Sequence, residues 1–362
     1  MDNILAEAFP AGEHLADELG ARGWTQAEFA EILGRPTQFV SEIISGKKEI
    51  TRESAAQIGA ALGNGAEFWL KLQDSFFLWK QRQDPQVREV LSEVETRAKL
   101  NGLAPMAVLR KRGIITASST EEQAEQLRRL MGINSLDERP SWCLAARRSN
   151  RGEPLSPVQN AWFACVKKIA DSLTAKQYDR DRLKHLATSV SQIVRGPSGL
   201  ESLPSEFASV GVRLVYFEAF PSSKISGASF QDDRGPVIAL SGRGQRLDKV
   251  LFTILHEAAH IARGDTEAGA LVIDEDDHTL GNEDRADDLA ADWMMPTGLP
   301  EAPPRVTKEW IEDVAANLNL HPIVVIGRLQ REHILPWRTT LVKDAPNATE
   351  YLRKWPGHLV AS

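Results

Sequence analysis

The stretch His256-Glu257-Ala258-Ala259-His260 contains two imidazoles and a carboxylate at a spacing that can bind a metal ion. On an α-helix, positions four residues apart differ by only about 40° around the axis, so both histidines lie on one face. Two histidines on an apolar face can also be ordinary core residues, but a buried Glu257 beside them is costly unless it has a partner. A bound metal ion accounts both for the two histidines on one apolar face and for the buried carboxylate beside them. Zinc is one such ion. Such a site needs a third protein ligand and an open position for water.

A second predicted helix lies downstream, at 282–296, and carries further carboxylates. Its apolar face consists of Ala286, Leu289, Ala290 and Trp293. Glu283 precedes Ala286 by three residues and therefore lies on the same inward face, and Asp287 follows one turn later. Pro296 ends the helix.

Together the two segments resemble the ImmA/IrrE family of metallopeptidases. The family pattern is an H-E-x-x-H helix followed by a helix that reads E-x-x-A-N/D-x-x-A and ends in a hydrophobic pair with Met-Pro. The matching positions of the second helix are Glu283, Ala286, Asp287, Ala290 and Met294-Met295-Pro296. The resemblance covers roughly residues 200–338.

This resemblance implies a metal centre and a reaction. The implied zinc ligands are His256, His260 and Glu283. Glu257 is implied as the general base that takes a proton from water attacking a peptide carbonyl. Asp287 is implied as a carboxylate that orients a histidine N–H. A peptide substrate is expected along an exposed strand, held by main-chain hydrogen bonds, near Ser226, Gly227 and Ala228.

The elements around this motif predict a small mixed sheet that is followed by helices. The predicted strands are Val212–Phe217, Lys224–Phe230 and Pro236–Leu240. Helices return from Leu247 onwards. The region from Asp84 to about Leu186 has a mostly helical pattern and no catalytic constellation, and the run at 195–199 predicts a linker. The acidic run at 274–277 predicts a solvated loop.

The first 83 residues predict five short helices. Thr25 and Glu28 form a capping box at the start of Gln26–Leu33, and Gly34 ends that helix. The next helix is predicted through Ile44. Two short helices joined by a tight glycine-containing turn are typical of a helix-turn-helix.

The stretch from Trp24 to Thr51 resembles the Xre/HigA-type family of DNA-binding domains, and the resemblance covers about residues 10–80. It implies two groups of DNA-facing residues. Those expected to meet bases or to lie on the base-reading surface are Gln26, Thr37, Gln38 and Ser41. Those expected to meet phosphates are Arg35, Lys47 and Lys48. Against this, residues 1–83 carry 8 basic and 12 acidic side chains, a net charge of −4, which is unusual for a DNA binder.

Composition excludes several classes of protein. The 362 residues include 43 Lys and Arg and 50 Asp and Glu, a net charge of −7, which argues against a basic nucleic-acid coat or a polybasic membrane binder. Cys143 and Cys165 are too few for a disulfide framework and fit a reducing cytoplasm. No apolar run reaches the roughly 20 residues that span a bilayer, and the first ten residues lack a signal-peptide pattern.

We therefore predict an α+β multidomain protein. The predicted domains are a helix-turn-helix DNA-binding domain (1–83), a helical middle region (84–195), a small mixed-sheet, zincin-like metallopeptidase domain with C-terminal helices (196–338) and a tail (339–362). The predicted function is a cytoplasmic, homodimeric transcriptional regulator whose zinc-dependent endopeptidase domain cleaves a specific repressor or toxin-linked partner. The alternative is a HigA-type antitoxin or regulator whose metal domain senses a ligand or binds a partner without cleaving it. A stand-alone general protease fits less well, because it needs no DNA-binding domain.

Overall fold

The computed structural model of the chain describes residues 8–144, 146–148, 155–267, 271–275 and 283–357. For residues 143–144, 146–148, 274–275 and 283 it describes the backbone alone. The chain divides into two units, Met1–Glu95 and Thr96–Ser362. None of the described helices combines the length and the apolar composition that crossing a bilayer requires.

The first unit contains the five predicted short helices. They are α1 (Ala11–Arg22), α2 (Gln26–Leu33), α3 (Thr37–Ile44), α4 (Arg52–Leu62) and α5 (Ala66–Gln83). The predicted capping box is confirmed, since the Thr25 side chain accepts from the Glu28 amide and the Glu28 side chain accepts from the Thr25 amide. Gly34 adopts a left-handed φ of 66° directly after α2, which permits the tight turn into α3. Phe29 and Trp69 are fully buried in the core of this unit.

A longer helix, α6 (Pro85–Leu103), leads into the second unit, which is built from helices around a sheet. The helices that precede the main strands are α7 (Met106–Lys111), α8 (Thr120–Met131), α9 (Pro157–Ala170), α10 (Arg180–Ala187), α11 (Val190–Ile193) and α12 (Leu203–Ser209). Those that follow are α13 (Leu247–Arg263), α14 (Glu283–Met294), α15 (Lys308–Leu318), α16 (Pro322–Arg331) and α17 (Thr349–Leu352).

The sheet of the described residues has five strands in the order β1-β5-β3-β4-β2. Their bounds are β1 (Ala146–Arg148), β2 (Arg213–Tyr216), β3 (Ile225–Asp232), β4 (Gly235–Leu240) and β5 (Leu271–Glu275). Strand β3 is antiparallel to both β4 and β5, whereas β2 pairs with β4, and β1 with β5, in parallel. The sheet is therefore mixed, and the predicted α+β class is confirmed.

Two expectations about this region are wrong. The predicted strands all follow residue 199, but β1 precedes it and pairs with β5. The acidic run at 274–277 is not wholly a loop, because Asp274 and Glu275 belong to β5. Residues 276 and 277 lie outside the described residues.

Alternate residues of the strands supply two separate cores, as the two-residue period of a strand requires. In β4, Ile238 and Leu240 pack with α10 and α12–α16, whereas Val237 and Ala239 pack with α6–α9. Helices α6–α9 therefore cover one face of the sheet, and α13 lies on the other. The predicted four-part division of the chain stays a prediction.

The predicted linker at 195–199 overlaps a short 3-10 helix, Pro197–Ser202. Leu200, in that helix, is fully buried. The Trp355 indole N–H donates to the Leu200 carbonyl at 2.8 Å, and Trp355 is only 2% exposed. The amide of Ala348 donates to the Gln245 carbonyl at 2.8 Å, directly before α13. The segment around α17 thus packs into the same core as the motif-bearing helix.

Candidate functional site

Helix α13 positions the H-E-x-x-H residues inside the second unit. His256, Glu257 and His260 are 1%, 0% and 2% exposed. Apolar residues such as Leu255, Ala258 and Ala259 surround them and pack into the core. Strands β3 and β4 pack against the sheet-facing side of α13 and support the backbone that carries the three side chains.

The two imidazoles face one another through the same ring atom. His256 Nε2 and His260 Nε2 lie 3.0 Å apart. The opposite nitrogen of each ring meets a carboxylate: His256 Nδ1 is 2.8 Å from Asp287 Oδ1, and His260 Nδ1 is 2.9 Å from Asp265 Oδ2. An ionised carboxylate can only accept, so each Nδ1 donates its hydrogen, and in the neutral ring Nε2 then carries a lone pair.

This arrangement fits a divalent metal ion. Two lone pairs 3.0 Å apart repel one another, and a cation bound by both nitrogens removes that repulsion. Tetrahedral zinc with nitrogen ligands at 2.0–2.1 Å would hold the two nitrogens about 3.3 Å apart, close to the observed separation. Among the described side chains no group of three His, Cys, Asp or Glu residues forms a complete metal site. Helix α14 begins at Glu283, the predicted third ligand, whose side chain lies outside the described set.

Strand β3 passes directly beneath the carboxylate of Glu257. A Cβ atom added to Gly227 would lie 2.5 Å from Glu257 Oε1 and 2.8 Å from Thr253 Cγ2. A glycine is therefore required at this position for the carboxylate to occupy its buried place. Gly227 thus belongs to the candidate site, because the absence of a side chain there leaves room for the Glu257 carboxylate.

The prediction that a substrate lies along an exposed strand at 226–228 is wrong for β3. Gly227 is paired with Leu240 of β4 on one side and with Asp274 of β5 on the other. The Ser226 carbonyl accepts from the Ser241 amide, and Ala228 is fully buried. Both hydrogen-bonding edges of the strand are occupied, so a substrate cannot add to it.

The predicted DNA-facing residues lie at the start of α2, in the turn between α2 and α3, on α3 and in the turn that follows α3. Six of them are exposed, namely Gln26, Thr37, Gln38, Ser41, Lys47 and Lys48, and Arg35 is half-buried. The structure brings Arg35 and Lys48 together over the ring of Phe39, with the guanidinium carbon and Nζ at 5.4 and 5.1 Å from its centroid.

Acidic side chains accompany these cations. Arg35 forms an ion pair with Glu53 and donates from Nε to Gln57 at 3.1 Å. Lys48 Nζ lies 3.4 Å from Glu42, and Gln38 donates to the same carboxylate at 2.8 Å. The hydrogen bond from Gln38, together with Lys48, holds the pKa of Glu42 below its usual value. The negative charge of this unit is thus partly neutralised within the predicted contact surface.

Comparison with known proteins finds a family match in each of two separate regions of the chain. Residues 209–330 match a peptidase family described as the IrrE N-terminal-like domain, and residues 15–69 match the helix-turn-helix family. Antitoxin HigA-1 of Vibrio cholerae is 40% identical over 72 residues, a match that covers 20% of this chain and 68% of HigA-1. The chain belongs to the Xre/HigA-type helix-turn-helix family and carries an IrrE-like domain.

Two further similarities each cover a quarter of this chain or less. The transcriptional regulator YbaQ of Escherichia coli K12 is 31% identical over 72 residues, which cover 20% of this chain and 64% of YbaQ, less than two thirds of its length. The crystal structure of an antidote protein of a plasmid maintenance system from Nostoc punctiforme has 38% sequence identity and a TM-score of 0.22. This match covers 25% of the present chain and 97% of the antidote protein's chain.

Sequence reasoning missed two residues around the two histidines of the motif. Asp265 lies five residues after His260 and follows Gly264, and a glycine that ends a helix is the one signal that could have indicated a returning chain. Arg331, at the end of α16, places one guanidinium nitrogen 3.5 Å from Asp287 and another 3.0 Å from Asp288. No local pattern links Arg331 to α14.

Proposed function

We propose that the IrrE-like domain is a zinc-dependent endopeptidase that cleaves a specific regulatory protein. The observation that carries the proposal is the pair of buried imidazoles, whose Nε2 atoms converge while carboxylates hold both Nδ1 atoms. The residues proposed to hold the metal are His256, His260 and Glu283. The peptidase family match over residues 209–330 supports the same reaction class.

Bound zinc would supply Lewis-acid polarisation of the scissile carbonyl and would make water acidic enough to ionise near pH 7. Glu257 would take the proton from the attacking water and pass it to the leaving amine. Its position on the same helix as the histidines, directly above Gly227, fixes where that proton is received. Asp287 and Asp265 hold each imidazole in the tautomer that presents Nε2.

Removal of the metal tests this proposal. Zinc-loaded protein incubated with a library of bacterial peptides is expected to generate new peptide termini, because a carbonyl polarised beside Glu257 is open to attack by water. Treatment with a chelator should abolish the new termini, and added zinc should restore them. Absence of new termini from both the library and intact candidate repressors would contradict the endopeptidase assignment.

We also propose that the N-terminal domain binds operator DNA as a homodimer, with one copy on each half-site. The similarity to the HTH-type regulator YbaQ and the exposed polar face of α3 support this proposal. The partners expected for the whole chain are therefore DNA and a repressor or toxin-linked protein.

Replacing Arg35, Lys47 and Lys48 together by alanine is expected to weaken DNA binding. The slope of log affinity against log salt concentration should become shallower by about 0.9 for each phosphate contact that is lost. Fluorescence anisotropy with an operator fragment measures the slope. A matched triple substitution of the exposed α5 residues Lys71, Lys80 and Arg82 should leave it unchanged. Equal slopes for the two variants would contradict the prediction that Arg35, Lys47 and Lys48 contact DNA phosphates.

A second candidate function is a HigA-type antitoxin or regulator whose metal domain senses a ligand or binds a partner without cleavage. The similarity to a protein named antitoxin HigA-1 favours it. A metal site with a purely structural role needs no general base. The behaviour of Glu257 variants therefore discriminates between the two functions.

A further inference from the structure

The turn that ends α13 returns the chain to the second histidine of the motif. Gly264 has a left-handed φ of 85°, which a residue with a side chain rarely adopts. The amide of Asp265 then donates to the His260 carbonyl at 2.9 Å, and Asp265 Oδ2 lies 2.9 Å from His260 Nδ1. One residue thus satisfies both a carbonyl at the helix end and the ring of the histidine.

The same turn determines which nitrogen of His260 can bind a metal. Because the carboxylate accepts the Nδ1 hydrogen, the neutral ring presents its lone pair at Nε2, toward His256 Nε2. Rotation of the ring about its Cβ–Cγ bond would break the contact with Asp265. The carboxylate therefore sets both the tautomer and the orientation of the ring.

An arginine lies beside the carboxylate in each half of the site. Arg263 Nε is 3.5 Å from Asp265 Oδ2, and an Arg331 guanidinium nitrogen is 3.5 Å from Asp287 Oδ2. The two imidazoles are thus held by equivalent Arg–Asp pairs from different parts of the chain. The Asp287 pair depends on the packing of α14 and α16 against α13, whereas the Asp265 pair belongs to the end of α13 itself.

We infer that Asp265 is a positioning residue for His260, which it holds in the metal-binding tautomer and orientation. The inference rests on the proposed zinc site and assigns to Asp265 a role equivalent to that predicted for Asp287. It does not make Asp265 a ligand, because its carboxylate meets the nitrogen that faces away from His256.

The test is the zinc affinity of purified full-length variants, measured by competition with a chromophoric chelator. Asp265→Ala is expected to weaken zinc binding by about 10–100-fold. Asp265→Asn, whose amide oxygen can still accept from Nδ1–H, should recover most of that loss. Asp292→Ala removes the same charge from an exposed position on α14 and should change the affinity by no more than about twofold, because exposed charges are screened.

A second readout needs no metal. In the zinc-free protein, ¹⁵N chemical shifts of the His260 ring should report the Nδ1–H tautomer, and Asp265→Ala should redistribute it toward the other tautomer. An Nε2–H tautomer in the unsubstituted protein, or Asp265→Ala affinity equal to that of the unsubstituted protein, would overturn the role of Asp265. Failure of the unsubstituted protein to bind zinc would instead contradict the proposed function.

Discussion

Replacing Glu257 by glutamine is expected to lower the rate of peptide-bond hydrolysis by about 10²–10⁴-fold, the usual contribution of a general base. Glutamine has nearly the same shape but accepts no proton at neutral pH. The buried position of Glu257, which depends on the missing side chain of Gly227, should accommodate the amide without a change in packing. Zinc content should stay at the level of the unsubstituted protein, because the residue is not among the proposed ligands.

Comparison of protein termini in cells that carry either form of the chain measures this effect and identifies the substrate. Glu267→Gln is the matched control, since Glu267 is exposed and forms an ion pair with Arg180 at 2.6 Å. The control should give the same termini as the unsubstituted chain. If Glu257→Gln did so as well, the chain would act without cleavage, and the antitoxin or ligand-sensing function would take the place of the endopeptidase.

Replacing Trp355 by alanine is expected to destabilise the second unit by about 3–5 kcal/mol, the usual cost of truncating a buried Trp. Trp355 lies near the end of the chain but is 2% exposed, and its indole donates to the Leu200 carbonyl. The substitution leaves a cavity in the core shared with α13 and an acceptor without its donor. Urea unfolding followed by circular dichroism measures the change.

Trp337 provides the matched control for this experiment. Its side chain is 53% exposed, and Lys249 Nζ lies 4.1 Å from the centroid of its ring. Trp337→Ala should therefore lower the free energy of unfolding by about 1 kcal/mol or less, the value of an exposed cation–π contact. Equal effects of the two substitutions would show that the segment around Trp355 contributes nothing to the core that supports the motif.

Sequence alone predicted those parts of the site that depend on local spacing. The H-E-x-x-H pattern predicts one shared helical face, and the structure shows His256 Nε2 and His260 Nε2 converging on it. The pattern of α14 likewise places Asp287 inward, where it meets His256. The capping box at Thr25 is equally local, and it is present as predicted.

Parts that depend on distant pairing could not be predicted in the same way. Strands β1 and β5 are only three and five residues long, and each is held by a partner remote in sequence, so their own patterns carry little signal. The error about an exposed strand at 226–228 has the same origin, because β5 occupies the edge that the hairpin of β3 and β4 would otherwise leave open. Asp265 was missed because its contact arises from the backbone turn at Gly264 rather than from helical spacing.

The zinc content of the purified full-length protein tests the central claim most directly. After preparation in zinc-replete medium and removal of loosely bound metal, the unsubstituted protein is expected to retain about one equivalent, whereas a His256→Asn, His260→Asn double variant should retain little. Glu257→Gln should match the unsubstituted protein. Less than about 0.1 equivalent in the unsubstituted protein, folded as judged by circular dichroism, would contradict the proposed metal centre and the hydrolysis that depends on it.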